Sequence, residues 1–123
     1  MDIWKSPWTY LVLILIVIGL FFVYKNITGN VVKSGEYDEF AKYLTEQGVK
    51  MYGTEWCPHC KNQKKLFGSS FQYIDYIDCD KNSQECSNAR VTGYPTWKIN
   101  NKNYPGEQSL ERLDQLSGYN QTI

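Results

Sequence analysis

This sequence has no excess of positive or of negative charge. Lysine and arginine together number 13, as do aspartate and glutamate, so the formal net charge of the 123-residue chain is zero. Without a basic field or an acidic tail, nothing in the composition indicates nucleic-acid binding or a solvated acidic linker. Internal repeats and low-complexity tracts are also missing. At this length there is room for one compact domain and a short appendage.

Cysteine is missing from the first 56 residues, and the four cysteines then form two pairs, Cys57 with Cys60 and Cys79 with Cys86. An even number in a small domain is typical of an oxidising compartment, although a CxxC pair also occurs in cytosolic redox proteins and in zinc sites. A zinc site would normally have a second close-set ligand pair, and His59 is the single histidine. We therefore expect no metal and no cofactor, with a non-catalytic zinc or binding module as the alternative.

Charged residues are missing from residues 8–24, which have the sequence WTYLVLILIVIGLFFVY. As a helix rising about 1.5 Å per residue, this run would span roughly 25 Å of a hydrocarbon core of about 30 Å. Trp8 and Tyr24 suit the two membrane interfaces, and Lys5 and Lys25 can extend their charges outward from the ends. The run therefore indicates a membrane-spanning helix.

We predict that residues 1–25 are an uncleaved single-pass anchor of the signal-anchor type, that residues 26–35 are a polar tether, and that residues 36–123 are the folded domain. The alternatives are a cleaved signal peptide, for which the sequence offers only weak cleavage sites around Gly29, and a buried core helix. Positive charges before and after the apolar run are nearly balanced, so they do not decide the orientation of the chain.

The rest of the chain alternates helical and strand patterns. The first half predicts a helix with an apolar face at Tyr37, Phe40, Ala41 and Leu44, a strand at 49–52, a helix from CPHC to Gly68, and a strand at 71–78. The second half predicts a helix capped by Ser83 and running to about Arg90, a hairpin around Asn100–Asn101, and a helix capped by Ser109. A β–α–β crossover, a hairpin and a closing helix predict an α/β fold with a mixed central sheet flanked by helices.

The motif Cys57–Pro58–His59–Cys60 falls where a strand and turn pass into a helix. Unpaired backbone N–H groups and the helix dipole at that end favour an anion, so they favour the thiolate of Cys57. Pro58 suits the first helical turn, and His59 adds a group that can be cationic near neutral pH; we favour this electrostatic role over that of an exposed polar residue. We predict an exposed, nucleophilic Cys57 and a less exposed, resolving Cys60 one turn further along.

A second motif, Gly93–Tyr94–Pro95–Thr96, follows Cys60 by about 35 residues and precedes a predicted strand. A cis proline there would expose the backbone of Tyr94 next to the sulfurs, where an extended substrate strand could pair with it. An ordinary proline at the start of a strand is the alternative. We also expect Trp56, Tyr94 and Trp97 to line the site.

The WCPHC motif, the YPT turn and the following hairpin resemble the thioredoxin superfamily. Residues 49–119 are most similar to the thioredoxin-like domains of bacterial and plant vitamin K epoxide reductase homologues, and the CPHC motif is that of the DsbA-type oxidases. The resemblance implies a thioredoxin-like fold for residues 36–123, a nucleophilic Cys57, a resolving Cys60 and a cis Pro95. It departs from thioredoxin at Met51, where thioredoxins have a buried acid.

This resemblance implies a protein thiol–disulfide oxidoreductase of the oxidase type. It would donate its disulfide to folding proteins and be recharged by a quinone-reducing membrane protein of the vitamin K epoxide reductase or DsbB type. Together with the cysteine pairs, it places the soluble domain on the extracytoplasmic side of the cell membrane. A membrane-tethered disulfide reductase or isomerase is the alternative.

The second cysteine pair has a different setting. Cys79 ends a predicted strand and Cys86 lies on the short helix that follows, so the two can come within disulfide reach. The resembling domains also carry an extra cysteine pair outside CxxC. We predict a structural Cys79–Cys86 disulfide, with a redox relay pair or free thiols as the alternatives.

Overall fold

The computed structural model describes residues 6–28 and 35–121. The chain divides into two compact units, with the boundary between residues 33 and 34. The first unit contributes one helix, α1 (Pro7–Thr28). Its start follows from local chemistry, because the Ser6 hydroxyl accepts a hydrogen bond from the Trp8 amide at 3.2 Å, and Pro7 needs no partner in the first turn.

Helix α1 is long and apolar enough to cross a bilayer. Its stretch from Pro7 to Lys25 has a mean hydropathy of 2.3, and none of that stretch is buried against protein. The helix continues to Thr28, three residues into the segment predicted as a tether, and the bounds of the tether stay a prediction. Residues 29–34 of the predicted tether lie outside the described residues.

Within residues 35–121, the described part of the second unit, there are four helices, one 3-10 helix and four short strands. In the first half these are α2 (Asp38–Glu46), β1 (Lys50–Gly53), α3 (Pro58–Phe67), a 3-10 helix (Gly68–Tyr73) and β2 (Asp75–Asp78). In the second half they are α4 (Ser83–Asn88), β3 (Thr96–Ile99), β4 (Lys102–Pro105) and α5 (Leu110–Ser117). The order of helices and strands is the predicted one, with the 3-10 helix added.

The four strands form one mixed sheet in the order β2-β1-β3-β4. Strands β1 and β2 are parallel, with Met51 opposite Tyr76, because α3 carries the chain back between them. The other neighbours are antiparallel, with Met51 opposite Trp97 across β1 and β3. Asn100 and Asn101 join β3 to β4 with positive φ at both positions, as a tight two-residue hairpin turn requires.

The two faces of the sheet bury different groups of side chains. Met51 and its neighbour Trp97 point to the main core, which α2, α3 and α5 complete with Phe40, Phe67 and Leu113. Tyr52 points to the other face and packs in a smaller cluster with residues of α4. This alternation is the period of two that a strand imposes, so β1 is covered on both sides.

Two details of the secondary structure differ from prediction. The segment 71–78 was predicted as one strand, but its first part belongs to the 3-10 helix and only Asp75–Asp78 is strand. Gly68 ends α3 with φ of 56° and turns the chain, so tertiary packing outweighs the β propensity of the aromatic residues. Ser83 is the first residue of α4 rather than its cap, and Asn82 precedes it without a side-chain capping bond.

Candidate active site

The turn after β1 places the CPHC motif at the start of α3. Cys57 is the N-cap residue of α3, with extended φ and ψ of −70° and 121°, and Pro58 is in its first turn. The Cys57 carbonyl accepts the first helical hydrogen bond, from Lys61 at 3.1 Å. Cys57 is therefore next to the unpaired N–H groups that begin the helix, where a negative charge on sulfur is stabilised.

Both cysteines of the motif are free thiols, and they differ in burial. Cys60 is 0% exposed and Cys57 is 6% exposed. Burial raises the pKa of the Cys60 thiol to about 11, against an opposing hydrogen bond from the Thr54 backbone. Cys57 is more exposed than Cys60, as predicted. The prediction that Cys57 is exposed is wrong, because its thiol is covered and donates a hydrogen bond to the Tyr94 carbonyl at 3.6 Å.

The loop before β3 forms the other wall of the site. The Tyr94–Pro95 peptide bond is cis, as the resemblance implied. Trp56 is 64% exposed and Tyr94 37% exposed, and their rings meet edge to face at 6.3 Å between centroids. Trp97 does not line the site, contrary to prediction, because the strand period turns it into the core, where it is 0% exposed.

His59 has a partner that the sequence analysis missed. Its Nδ1 lies 2.6 Å from Oε1 of Glu107, and the Asn62 side chain donates to the same oxygen at 3.4 Å. Glu107 belongs to the loop between β4 and α5, 48 residues further along the chain. No local pattern marks it, since only the folded sheet brings that loop against the start of α3.

Gln63 is a second residue that the sequence analysis missed. Its side chain is completely buried, and its Oε1 accepts hydrogen bonds from the Trp97 indole at 3.1 Å and from the Gln108 amide at 2.7 Å. Its Nε2 donates to the Gln108 carbonyl at 2.9 Å. Gln63 therefore ties α3 to the loop that carries Glu107.

Comparison with known families identifies the fold. The family model for thioredoxin matches residues 30–117, which is most of the chain. The chain belongs to the thioredoxin family. Its α/β architecture, with a mixed sheet flanked by helices, is the thioredoxin-like fold that the sequence predicted.

Three similar proteins illustrate the relationship. It is 38% identical over 88 residues to the thiol-disulfide oxidoreductase LTO1 of Arabidopsis thaliana, covering 64% of this chain and 23% of that protein. The chain thus spans under a quarter of that relative's length. Two solved structures are similar at low identity: a poplar thioredoxin h (15% identical, TM-score 0.46, 71% of this chain and 90% of that one) and the oxidised thioredoxin of Plasmodium falciparum (20%, 0.42, 66% and 88%).

Met51 takes the position at which the resemblance to thioredoxin implies a buried acid. Met51 is 0% exposed and packs in the main core. Glu55 is the carboxylate nearest to the motif in sequence, but its side chain is 63% exposed and pairs with Lys64 at 2.7 Å. That ammonium lowers the pKa of Glu55, so Glu55 is ionised at neutral pH.

Cys79 and Cys86 are bonded to each other in the smaller cluster on the other face of the sheet. The bond joins the end of β2 to α4, and it removes two of the sulfurs that a zinc site would need. Among the described residues, no group of three or more His, Cys, Asp and Glu side chains is arranged to hold a metal.

Removing this bond should destabilise the domain without removing the CPHC chemistry. In the chain-entropy model, closing a loop of this length stabilises the fold by about 2.5 kcal/mol. We expect Cys79→Ala/Cys86→Ala to lose roughly that amount in a denaturant titration, and to keep a reducible Cys57–Cys60 pair. Peptide mapping after graded reduction should find Cys79–Cys86 intact after Cys57–Cys60 has opened; the reverse order would refute a structural role.

Proposed function

We propose that the chain is a protein thiol–disulfide oxidoreductase that works through Cys57 and Cys60. The observation that carries this proposal is that two free thiols at the start of one helix differ in position and burial. Cys57 is the N-cap residue, and Cys60 is fully buried one turn further along the helix. The name of the Arabidopsis relative supports the same activity. A purely structural cysteine pair would need no such difference in burial between its two sulfurs.

The proposed reaction is a pair of thiol–disulfide exchanges. In the oxidising direction, a partner thiolate attacks Sγ of Cys57 in the Cys57–Cys60 disulfide, and Cys60 leaves as a thiolate that takes up a proton. A second partner thiolate then attacks the partner sulfur of the mixed disulfide, and Cys57 leaves as a thiolate. The partner loses two electrons and the chain gains them. The helix start stabilises the departing Cys57 thiolate.

Helix α1 supports a further part of the proposal, a membrane anchor. We assign residues 1–25 to a single-pass anchor and the thioredoxin-family domain to the extracytoplasmic side. A tether of this kind holds the site near the bilayer and raises its effective concentration for membrane partners. The partner that recharges the disulfide is then a quinone-reducing membrane protein of the vitamin K epoxide reductase or DsbB type, and the substrates are folding proteins.

A reductase or isomerase is the second candidate, and one observation favours it. The Glu107 carboxylate lies 2.6 Å from His59 and brings a negative charge near the Cys57 sulfur. A negative charge there stabilises the Cys57 thiolate less, and a less stabilised reduced form makes the disulfide a weaker oxidant. The Glu107 contact therefore moves the chain away from the strongest oxidases.

Removing the Glu107 charge should make the disulfide more oxidising. We expect Glu107→Gln to raise the reduction potential of the Cys57–Cys60 couple by roughly 10–20 mV, because exposed ion pairs contribute up to about 1 kcal/mol. Equilibration with glutathione buffers measures the shift. Glu111→Gln, an exposed change in the first turn of α5, is the matched control and should leave the potential unchanged. An unchanged or lower potential in Glu107→Gln would refute the role of this contact.

The redox state in cells tests the direction and the topology together. Thiols are blocked in intact cells with an impermeant alkylating reagent, and the remaining thiols are labelled after lysis and reduction. An oxidase predicts a mainly oxidised Cys57–Cys60 pair that becomes reactive to the impermeant reagent after mild reduction. A mainly reduced pair would favour the reductase, and labelling only after lysis would contradict the extracytoplasmic side.

A further inference from the structure

Cys60 has a proton that must leave, and no access to solvent of its own. Its sulfur is 0% exposed, and burial raises the pKa of its thiol to about 11, so the thiol is protonated at neutral pH. Resolution of a mixed disulfide needs the Cys60 thiolate, since the thiol is a poor nucleophile. Cys57 cannot take the proton at that moment, because its sulfur is then bonded to the partner.

The Tyr76 hydroxyl lies next to this sulfur. Around Gly53, the position that a Cβ would occupy is 2.7 Å from Sγ of Cys60 and 3.5 Å from the Tyr76 hydroxyl. Sγ of Cys60 and the Tyr76 hydroxyl therefore lie close together beside the last residue of β1, so that one water molecule at most is needed to bridge them. The Tyr76 hydroxyl is buried and has no hydrogen-bond partner of good geometry among the described residues.

A chain of contacts leads from Tyr76 to solvent. Lys64 lies 3.9 Å above the Tyr76 ring, and its ammonium bonds to the Glu55 carboxylate at 2.7 Å. The Lys64 contact, and then the Tyr76 hydroxyl, lower the pKa of Glu55, while burial and then the Glu55 charge raise the pKa of Tyr76. The Glu55 side chain is 63% exposed, so a proton that reaches it exchanges with water.

The other groups around Cys60 and Tyr76 are buried or already paired. The Thr54 side chain is 0% exposed. Lys64 is bonded to Glu55 at 2.7 Å, and Asp78 accepts a hydrogen bond from the Asp80 amide and lies 3.5 Å from Lys81. The titratable groups that face Cys60 and Tyr76 from the surrounding elements are Cys57 and Lys64 of α3, Glu55 of the preceding turn, and Asp78 of β2.

We propose that Tyr76 and Glu55 form the proton path of Cys60, a role that rests on the proposed oxidoreductase function. When a mixed disulfide at Cys57 is resolved, the Tyr76 hydroxyl hydrogen-bonds to Sγ of Cys60 and to the Glu55 carboxylate, directly or through a bridging water. The Cys60 proton then passes to the Tyr76 oxygen as the Tyr76 hydroxyl proton passes to the Glu55 carboxylate. The Cys60 thiolate then bonds to Sγ of Cys57, and the partner sulfur leaves with the electron pair and takes up a proton from water. In the opposite direction the same path returns the proton to Cys60.

The proposed path is consistent with Gly53 and with Met51, the two residues of β1 next to Cys60 and Tyr76. A Cβ at Gly53 would come within 2.7 Å of Sγ of Cys60 and 3.2 Å of the Tyr76 ring, so any other residue would push the two groups apart. Met51 lies opposite Tyr76 in the sheet and carries no proton-accepting group. In the proposed path the carboxylate is Glu55, which acts through Tyr76 from the turn after the strand.

The test follows the two exchange steps separately. The full reduced chain in detergent micelles is mixed with oxidised glutathione, quenched with acid at successive times, and analysed by mass spectrometry for the mixed and the intramolecular disulfide. We expect Tyr76→Phe and Glu55→Gln to form the mixed disulfide at the wild-type rate, and to resolve it about tenfold more slowly at pH 7. The defect should shrink towards pH 10, because hydroxide then competes with the path for the Cys60 proton whenever the site opens to solvent.

Tyr73→Phe is the matched control and should resolve at the wild-type rate at every pH, because Tyr73 lies at the end of the 3-10 helix and contacts Lys42. Wild-type resolution in both Tyr76→Phe and Glu55→Gln, or a defect that is the same at pH 7 and pH 10, would overturn the proton path alone. Glu55→Gln changes an exposed side chain, so it remains informative if Tyr76→Phe does not fold. A wild-type chain that never forms the intramolecular disulfide would overturn the proposed function as well.

Discussion

Replacing Cys60 with serine should trap the chain as a mixed disulfide, whereas replacing Cys57 should trap nothing. In the proposed mechanism Cys57, at the start of α3, attacks a partner disulfide as the thiolate, and Cys60 then releases the partner. A serine hydroxyl at neutral pH cannot replace that thiolate, so the intermediate in Cys60→Ser persists. We expect turnover to fall in both variants by on the order of 10³-fold or more.

Non-reducing gels of both variants, expressed in cells, measure the trapping. A shifted band that disappears on reduction is expected for Cys60→Ser and not for Cys57→Ser, which is the matched control because it also loses one thiol. If α1 is an anchor, membrane proteins should be enriched among the trapped partners. Equal trapping by both variants would contradict the assigned roles, and trapping of soluble cytosolic proteins alone would favour a reductase.

Gln63→Leu should cost the domain about 3 kcal/mol of unfolding free energy. The substitution keeps the volume of the side chain. It removes the two hydrogen bonds to the Gln108 amide and carbonyl, and it removes the acceptor of the Trp97 indole. The indole is then left unpaired in the core, and an unsatisfied buried donor costs about 1–3 kcal/mol. The Gln108 loop also loses its link to α3, so the contact between Glu107 and His59 should weaken.

Denaturant unfolding of the variant measures the loss, and Gln72→Leu is its matched control. Gln72 is exposed in the 3-10 helix and donates one hydrogen bond, to the Ser69 carbonyl at 3.0 Å, so its replacement should cost less than about 0.5 kcal/mol. Equal losses in the two variants would mean that the buried position of Gln63 contributes nothing beyond its helix.

The fold was largely predictable because its signals are local. Asn100–Asn101 marks a hairpin turn, Ser109 caps α5 through a bond from the Arg112 amide at 3.1 Å, and Gly118 ends that helix with positive φ. The error at 71–78 has an equally physical cause. Phe71 and Tyr73 have strand propensity, but packing against α2 and α3 holds them in a 3-10 helix.

The candidate site was only half predictable, for a related reason. Cys57, Cys60 and Pro95 lie in motifs whose spacing carries the information. Glu107, Gln63 and Tyr76 lie in segments without a motif, and their contacts with the CPHC helix depend on sheet register and on the closing loop. The covering of Cys57 likewise depends on the distant Tyr94 carbonyl. Contacts of this kind appear only after the chain has folded.

The redox equilibrium of the purified chain tests the central claim most directly. The full chain is equilibrated with a series of reduced and oxidised glutathione ratios, quenched with acid, alkylated and mapped by mass spectrometry. A thiol–disulfide oxidoreductase predicts a single two-electron transition in which Cys57 and Cys60 exchange between dithiol and mutual disulfide, while Cys79–Cys86 stays bonded. Absence of a Cys57–Cys60 disulfide at every ratio, or a transition confined to Cys79 and Cys86, would contradict it.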